Sequence, residues 1–203
     1  MTGPANTPSS DKVTLYYNPM SRGRIVHWML EELGAPYELK LLDYAKKEHK
    51  SPEYLKINPM GKIPTLVHRG VVVTEAPAIL AYLADAFPQA GMAPAISSPE
   101  RGPYYRWLFF AASCVEYALF DRVHPRAKAA DAGHIGYGTY EDTVNTLEQA
   151  VANGFILGKF SAVDVFIASQ IGWTMRSGAL EARPAFEKYL KLCTDRPAYR
   201  RIN

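Results

Sequence analysis

Cysteine is scarce in this chain of 203 residues: Cys114 and Cys193 are the only two, with no Cys-x-x-Cys pair and no cysteine–histidine cluster. That scarcity argues against a disulfide framework and a zinc site, so no metal is expected. It also leaves a thioredoxin-type redox centre without the thiol it needs near the first helix. Charge of one sign is scarce too. Lysine and arginine total 23 against 20 acidic residues, a formal net charge of +3, too weak a field to mark a nucleic-acid or membrane-surface binder. No uninterrupted apolar run approaches the roughly 20 residues that span a bilayer, so no membrane partner is expected. Residues 1–11 lack a basic patch leading into an apolar stretch and read as a flexible leader, not a secretory signal; a cytoplasmic location is expected. Gly133, Gly136 and Gly138 are clustered, but no strand precedes them and no Gly-Lys-Ser/Thr follows, so they read as a helix–helix connection and not a phosphate cradle.

What is present is enough apolar residue, 48% of the chain, to build a substantial core, with two small domains the better fit to this length. Lys12 to Tyr17 alternates, with Val13, Leu15 and Tyr17 on one face, and stops at Asn18-Pro19, as a strand ending in a turn does. From Arg22 the period becomes helical: Ile25, Met29 and Leu33 stack, Val26 and Leu30 widen the stripe, Ser21 stands at the N-cap and Gly34 at the stop. A second strand over Tyr37 to Leu42, a short helix over Pro52 to Ile57, a hairpin over Thr65 to Val73 turning at Arg69-Gly70, and a helix from Ala76 to Phe87 follow. The order is β-α-β-α-β-β-α. Ala90 to Pro99, rich in alanine, proline and serine, reads as a linker. Beyond it every long segment is helical: Glu100 to Val123, Thr139 to Asn153, Ala162 to Arg176 and Ala185 to Asp195.

This order, with Ile63-Pro64 opening the hairpin and a helical half appended, resembles the glutathione transferase family, over nearly the whole chain from Lys12. The most specific stretch is Glu48 to Leu66, containing Asn58-Pro59-Met60-Gly61-Lys62-Ile63-Pro64-Thr65-Leu66, continued by Thr74-Glu75-Ala76-Pro77-Ala78-Ile79-Leu80. The resemblance implies an α+β two-domain fold: a thioredoxin-like glutathione-binding domain over 12–89, a linker over 90–98 and an all-helical domain over 99–203. It implies a cis Ile63–Pro64 bond, with the N–H and C=O of Ile63 left free for the cysteinyl backbone of glutathione. Glu75 is expected to meet the γ-glutamyl amino group while N–H groups at the following helix start, beginning with Ala76, receive its carboxylate. Most relatives carry serine or threonine where this chain has Ala76, so a side-chain donor is missing and a backbone donor remains. His49, Lys50 and Lys62 match cations that reach the glycyl carboxylate.

A thiol with a pKa near ~8.5 reacts as its thiolate, and a neutral hydroxyl donor beside the sulfur favours that form. Ser21 resembles the catalytic serine of the serine-type members, similar to the theta-like and phi-like classes and to bacterial relatives; its position predicts helix capping equally well. Tyr17 is the rival, since tyrosine-type classes place their hydroxyl near the end of the first strand and continue with a triplet like Arg22-Gly23-Arg24. Here that gap is one residue longer and holds Pro19, which favours Ser21. Ser161-Ala162-Val163-Asp164 reads as a capping box with Phe160 and Val165 as a hydrophobic staple, so Asp164 is structural. The second-substrate pocket is expected between Met20 and the first long helix, near Phe110, Ser113, Cys114 and Tyr117, and suits a small hydrophobic electrophile. The implied enzyme conjugates glutathione, a co-substrate, to that electrophile and forms a homodimer. The other reading is a noncatalytic member that binds glutathione or another protein.

Overall fold

The computed structural model describes residues 11–126 and 131–202. The expected leader therefore lies outside the described residues except for Asp11, which accepts a hydrogen bond from Arg69 Nε at 3.0 Å. Strands β1 (Val13–Tyr17), β2 (Tyr37–Leu41), β3 (Thr65–His68) and β4 (Val71–Thr74) form one sheet in the order β2-β1-β3-β4. β1 and β2 are parallel, joined through helix α1 (Gly23–Leu33), and the other two pairings are antiparallel. The β3–β4 hairpin turns at Arg69 (φ 50°) and Gly70 (φ 76°), two left-handed residues whose twist matches that of the flanking strands. Helix α2 (Pro52–Leu55) precedes β3, and α3 (Ala76–Ala86) follows β4. The β-α-β-α-β-β-α order is the expected one.

The helical stripe on α1 is buried as the spacing predicts, and Trp28, outside that stripe, is buried as well. A two-sided burial is the reason. One side of α1 packs on the sheet and α3, and the other carries Trp28 against Tyr199 (ring centroids 4.7 Å apart) and Phe160 (6.0 Å) from the helical half. Gly34 ends α1 at φ 61°, a left-handed cap that a side chain disfavours.

The helical half contains α4 (Arg101–Phe109), a π-helical turn over Phe110–Val115, α5 (Glu116–Val123), α6 (Tyr140–Val151), α7 (Ala162–Arg176), α8 (Pro184–Thr194) and α9 (Pro197–Arg201). The expected helix over Glu100 to Val123 is thus interrupted by one wide turn, where Ser113 Oγ donates to the carbonyl of Phe109 at 2.7 Å. Such turns accommodate an extra residue without ending the helix. The five residues of α9 were not anticipated, because so short a run between Pro197 and the last residues shows no periodicity. Two ion pairs to α1, Arg196 with Glu32 and Arg201 with Glu31, hold it there.

Helix α7 is buried over most of its length and packs on α1, α3, α4 and α8, so a single core runs through both halves. Its start is the predicted capping box: Ser161 N donates to Asp164 Oδ2 at 2.9 Å, and the box is closed by the Ser161 side chain. Asp164 is fully buried and also accepts from Ile156 N (3.0 Å) and Tyr189 Oη (2.9 Å). Burial pushes its carboxyl above the usual range, opposed by these donors. The segment 90–98 is fastened to the helical half: the Met92 carbonyl accepts from Ala162 N at 2.8 Å and the Pro94 carbonyl from Arg101 Nε at 2.8 Å.

Candidate active site

Strand register brings the expected site residues to one end of the sheet. Tyr16 pairs with Thr65, Thr65 with Thr74, and Tyr17 with Leu41. The chain after β1, before β3, after β4 and after β2 therefore emerges at a common edge, carrying Ser21, Ile63, Glu75 and His49 respectively.

The loop after β1 is built on Asn18. Its side-chain amide donates to the Leu42 carbonyl (2.8 Å), its side-chain oxygen accepts from Met20 N (2.9 Å), and its backbone carbonyl accepts from Ser21 N (3.0 Å) and Ser21 Oγ (2.7 Å). Asparagine before proline is a turn former through this kind of side-chain bond to the backbone two residues on, which is the turn expected at the end of the first strand. Ser21 Oγ in turn accepts from Gly23 N at 2.9 Å. The helix begins formally at Gly23, one residue later than a Ser21 N-cap gives, because Arg22 already has helical dihedrals; the hydroxyl still satisfies one of the unpaired N–H groups of the first turn. Tyr17 shares the face of Val13 and Leu15, and its ring packs edge-on against His27 of α1, 5.4 Å between centroids. His27 Nε2 meets Tyr37 Oη at 2.9 Å, and the Tyr37 hydroxyl bonds Glu31. Burial and the neighbouring Glu31 carboxylate push that hydroxyl up to about 12; burial also lowers the His27 pKa.

The loop before β3 is fastened from below. Tyr54 Oη donates to the Lys62 carbonyl at 2.6 Å, and buried Asn58 donates to the same carbonyl at 2.9 Å and to Thr65 Oγ1 at 3.0 Å. Gly61 sits at φ 57°, where a Cβ would lie 2.7 Å from the His49 carbonyl, so glycine is required there on both counts. The Ile63–Pro64 bond is cis. Neither the N–H nor the C=O of Ile63 has a hydrogen-bond partner among the described residues.

Glu75, exposed, precedes α3 with φ 64° and ψ 115°, outside even the left-handed helical region. A side chain held there costs on the order of 1–3 kcal/mol, and such residues gather at ligand sites. Ala76 is buried at the first helical position and Pro77 has no N–H. The Ala76 and Ala78 N–H groups have no acceptor among the described residues, while Ile79 N bonds the Glu75 carbonyl at 2.9 Å. The helix start thus offers two donors and the positive end of its dipole. His49 is half-buried, its ring 4.9 Å from that of Tyr44 and its Nδ1 unpartnered among the described residues. Lys50 Nζ donates to the Met60 carbonyl at 2.9 Å, which leaves two of its three N–H groups for another acceptor. Lys62 is exposed.

Residues 11–85 match the family described as glutathione S-transferase, N-terminal domain. Over 61 residues the chain is 43% identical to glutathione S-transferase 1 of Dianthus caryophyllus, covering 30% of this chain and 28% of that protein. It is 40% identical over 91 residues to glutathione S-transferase 1 of Schizosaccharomyces pombe, covering 41% and 38%. These matches take in less than half the length of either relative. The fold extends the likeness: a glutathione transferase from Phanerochaete chrysosporium, solved in complex with oxidized glutathione, superimposes with a TM-score of 0.76 and 28% identity over 94% of each chain. The likeness in sequence thus falls on residues 11–85, which are similar to the N-terminal domain of glutathione S-transferases.

The site is joined to the helical half through a contact the sequence did not announce. Arg22, adjacent to Ser21, pairs with Glu116 at the start of α5, and Glu116 accepts from Gln170 Nε2 of α7 at 3.3 Å. Met20, 87% exposed, stands on the same loop. Of the residues expected around the second-substrate pocket, Ser113 and Tyr117 line a cavity of about 350 Å³. Phe110 turns inward against Trp107, 5.5 Å between centroids, and the Cys114 thiol faces the Gly136 carbonyl at 3.6 Å.

Proposed function

We propose that this protein is a glutathione transferase that ionises bound glutathione beside Ser21 and delivers the thiolate to a small electrophile in the neighbouring helical half. The observation that carries the reading is the set of uncommitted backbone groups at the sheet edge: Ile63 N–H and C=O beside the open Ala76 and Ala78 N–H groups of α3. A tripeptide with its own N–H, C=O and two carboxylates complements them. In this reading Ile63 and Pro64 hold the cysteinyl backbone, Glu75 takes the γ-glutamyl amino group, Ala76 N–H takes its carboxylate, and His49, Lys50 and Lys62 surround the glycyl carboxylate.

Ser21 is the thiol's hydroxyl partner in this account. Its Oγ accepts from Gly23 N at the start of α1, while the Tyr17 ring packs edge-on against His27 of the same helix. Positioning and a lowered thiol pKa supply the rate. The active form is a cytoplasmic homodimer, with domains over 12–89 and 99–203 joined by 90–98. A noncatalytic glutathione-binding member is the second reading, favoured by one observation: the Ser21 proton is already donated to Asn18. Calorimetry with glutathione, then turnover against aromatic halides, epoxides and isothiocyanates, separates them. Binding with turnover supports the transferase, binding without turnover the second reading, and no binding at millimolar glutathione refutes both.

A further inference from the structure

The cavity beside Tyr117 is not the purely apolar slot that a hydrophobic electrophile asks for. It is lined by Ser113 and Tyr117, by Arg126, and by His134, Ile135, Gly136 and Tyr137 from the segment before α6. Its volume of about 350 Å³ falls in the range of about 300–1,000 Å³ typical of small-molecule sites. Arg126 is oriented by a second layer. Asp121 Oδ2 accepts from Arg126 Nε (2.8 Å), lies 2.8 Å from Arg126 Nη2 in an ion pair, and accepts from Tyr137 Oη at 2.8 Å. The Tyr137 hydroxyl and then Arg126 hold the Asp121 carboxyl below its ordinary range, against the opposing effect of burial. Asp121 thus grips one edge of the guanidinium and one phenol together. The Nη1 end has no partner among the described residues, and a guanidinium fixed by a carboxylate from behind is preorganised to take an anion in front.

Glu116, which pairs with Arg22 beside Ser21, stands in the chain between the cavity residues Ser113 and Tyr117. Two phenol rings and one isoleucine suit a flat conjugated body; the arginine suits its charge.

We propose that the electrophile of this transferase is an aromatic or conjugated molecule bearing a carboxylate, which Arg126 binds. The inference rests on the transferase reading and names its substrate class. The probes are a chlorodinitrobenzoate, with the chloride para to the carboxylate, and its methyl ester. In both, the glutathione sulfur forms a bond to the ring carbon bearing chlorine, chloride leaves with the bonding electron pair, and the thiol proton passes to solvent. Rates are divided by the uncatalysed rate of each probe, since the ester is intrinsically the more reactive.

The acid-to-ester ratio of kcat/KM is expected to favour the acid about tenfold. It should fall about tenfold in Arg126→Gln and partly recover in Arg126→Lys, with thermal melts confirming that both variants fold. A wild-type ratio near one, or a ratio that survives Arg126→Gln, overturns the inference while leaving the transferase standing. Calorimetry of the two finished glutathione conjugates reads the same preference without turnover, and an equal affinity for both again overturns it. Failure of glutathione itself to bind takes down the transferase reading and this inference with it.

Discussion

Replacing Ser21 by alanine tests whether a hydroxyl that caps a helix also makes a thiolate. In the ligand-free protein the Ser21 proton is donated to the Asn18 carbonyl at 2.7 Å. To stabilise glutathione it must leave that acceptor for the sulfur, and the Asn18 carbonyl keeps the Ser21 N–H at 3.0 Å. A neutral hydrogen bond contributes about 0.5–1.5 kcal/mol and one to a charged group about 1.5–3 kcal/mol. The exchange therefore leaves roughly 1–1.5 kcal/mol in favour of the thiolate, and at about 1.4 kcal/mol per unit that is a pKa depression of about one unit. Ser21→Ala should raise the bound thiol's pKa by about one unit, measured by titrating thiolate absorbance in the complex. Below that pKa turnover falls about tenfold, and well above it the two enzymes converge. The variant also loses the bond to Gly23 N, about 1 kcal/mol of stability, visible in a urea melt. A thiol pKa that does not move in Ser21→Ala, together with one that rises in Tyr17→Phe, refutes the reasoning and hands the role to Tyr17.

Gly23→Ala puts a Cβ 2.9 Å from Ser21 Oγ and 3.1 Å from Tyr17 Cδ2; the displaced hydroxyl should cost turnover more than stability, and a variant with unaltered kcat refutes the packing argument. Asp164→Ala strands the Ile156 N–H and the buried Tyr189 hydroxyl. Losing a buried acceptor with several donors should cost about 3–5 kcal/mol in chemical denaturation, and a loss under 1 kcal/mol would contradict it. His27 and His68 have pKa values lowered chiefly by burial, so the unfolded chain binds their protons first as pH falls through about 6.5. Stability should therefore decline on acidification below that point, by at most about 1.4 kcal/mol per pH unit for each histidine. His68→Gln should flatten the decline between pH 7 and 5, and an unchanged slope excludes His68 as its source.

Local chemistry was legible in the residues. Alternation placed β1, a 3.6-residue period placed α1, Asn-Pro and Arg-Gly marked turns, and Ser161 with Asp164 announced a helix start, because each depends on neighbours a few positions apart. The individual site residues were legible only through the motifs they share with the glutathione transferase family, Glu48 to Leu66 and Thr74 to Leu80 above all. What the tertiary structure alone decided was how the groups are already committed. Ser21 spends its proton on Asn18, Lys50 reaches the Met60 carbonyl, Tyr17 leans on His27, and Arg22 crosses to Glu116, 94 positions away. Asp121 and Arg126 become a directed pair only when Tyr137 returns on the far side of a loop. A hydrogen bond depends on tenths of an ångström between groups distant in sequence, and no periodicity in a chain encodes such distances.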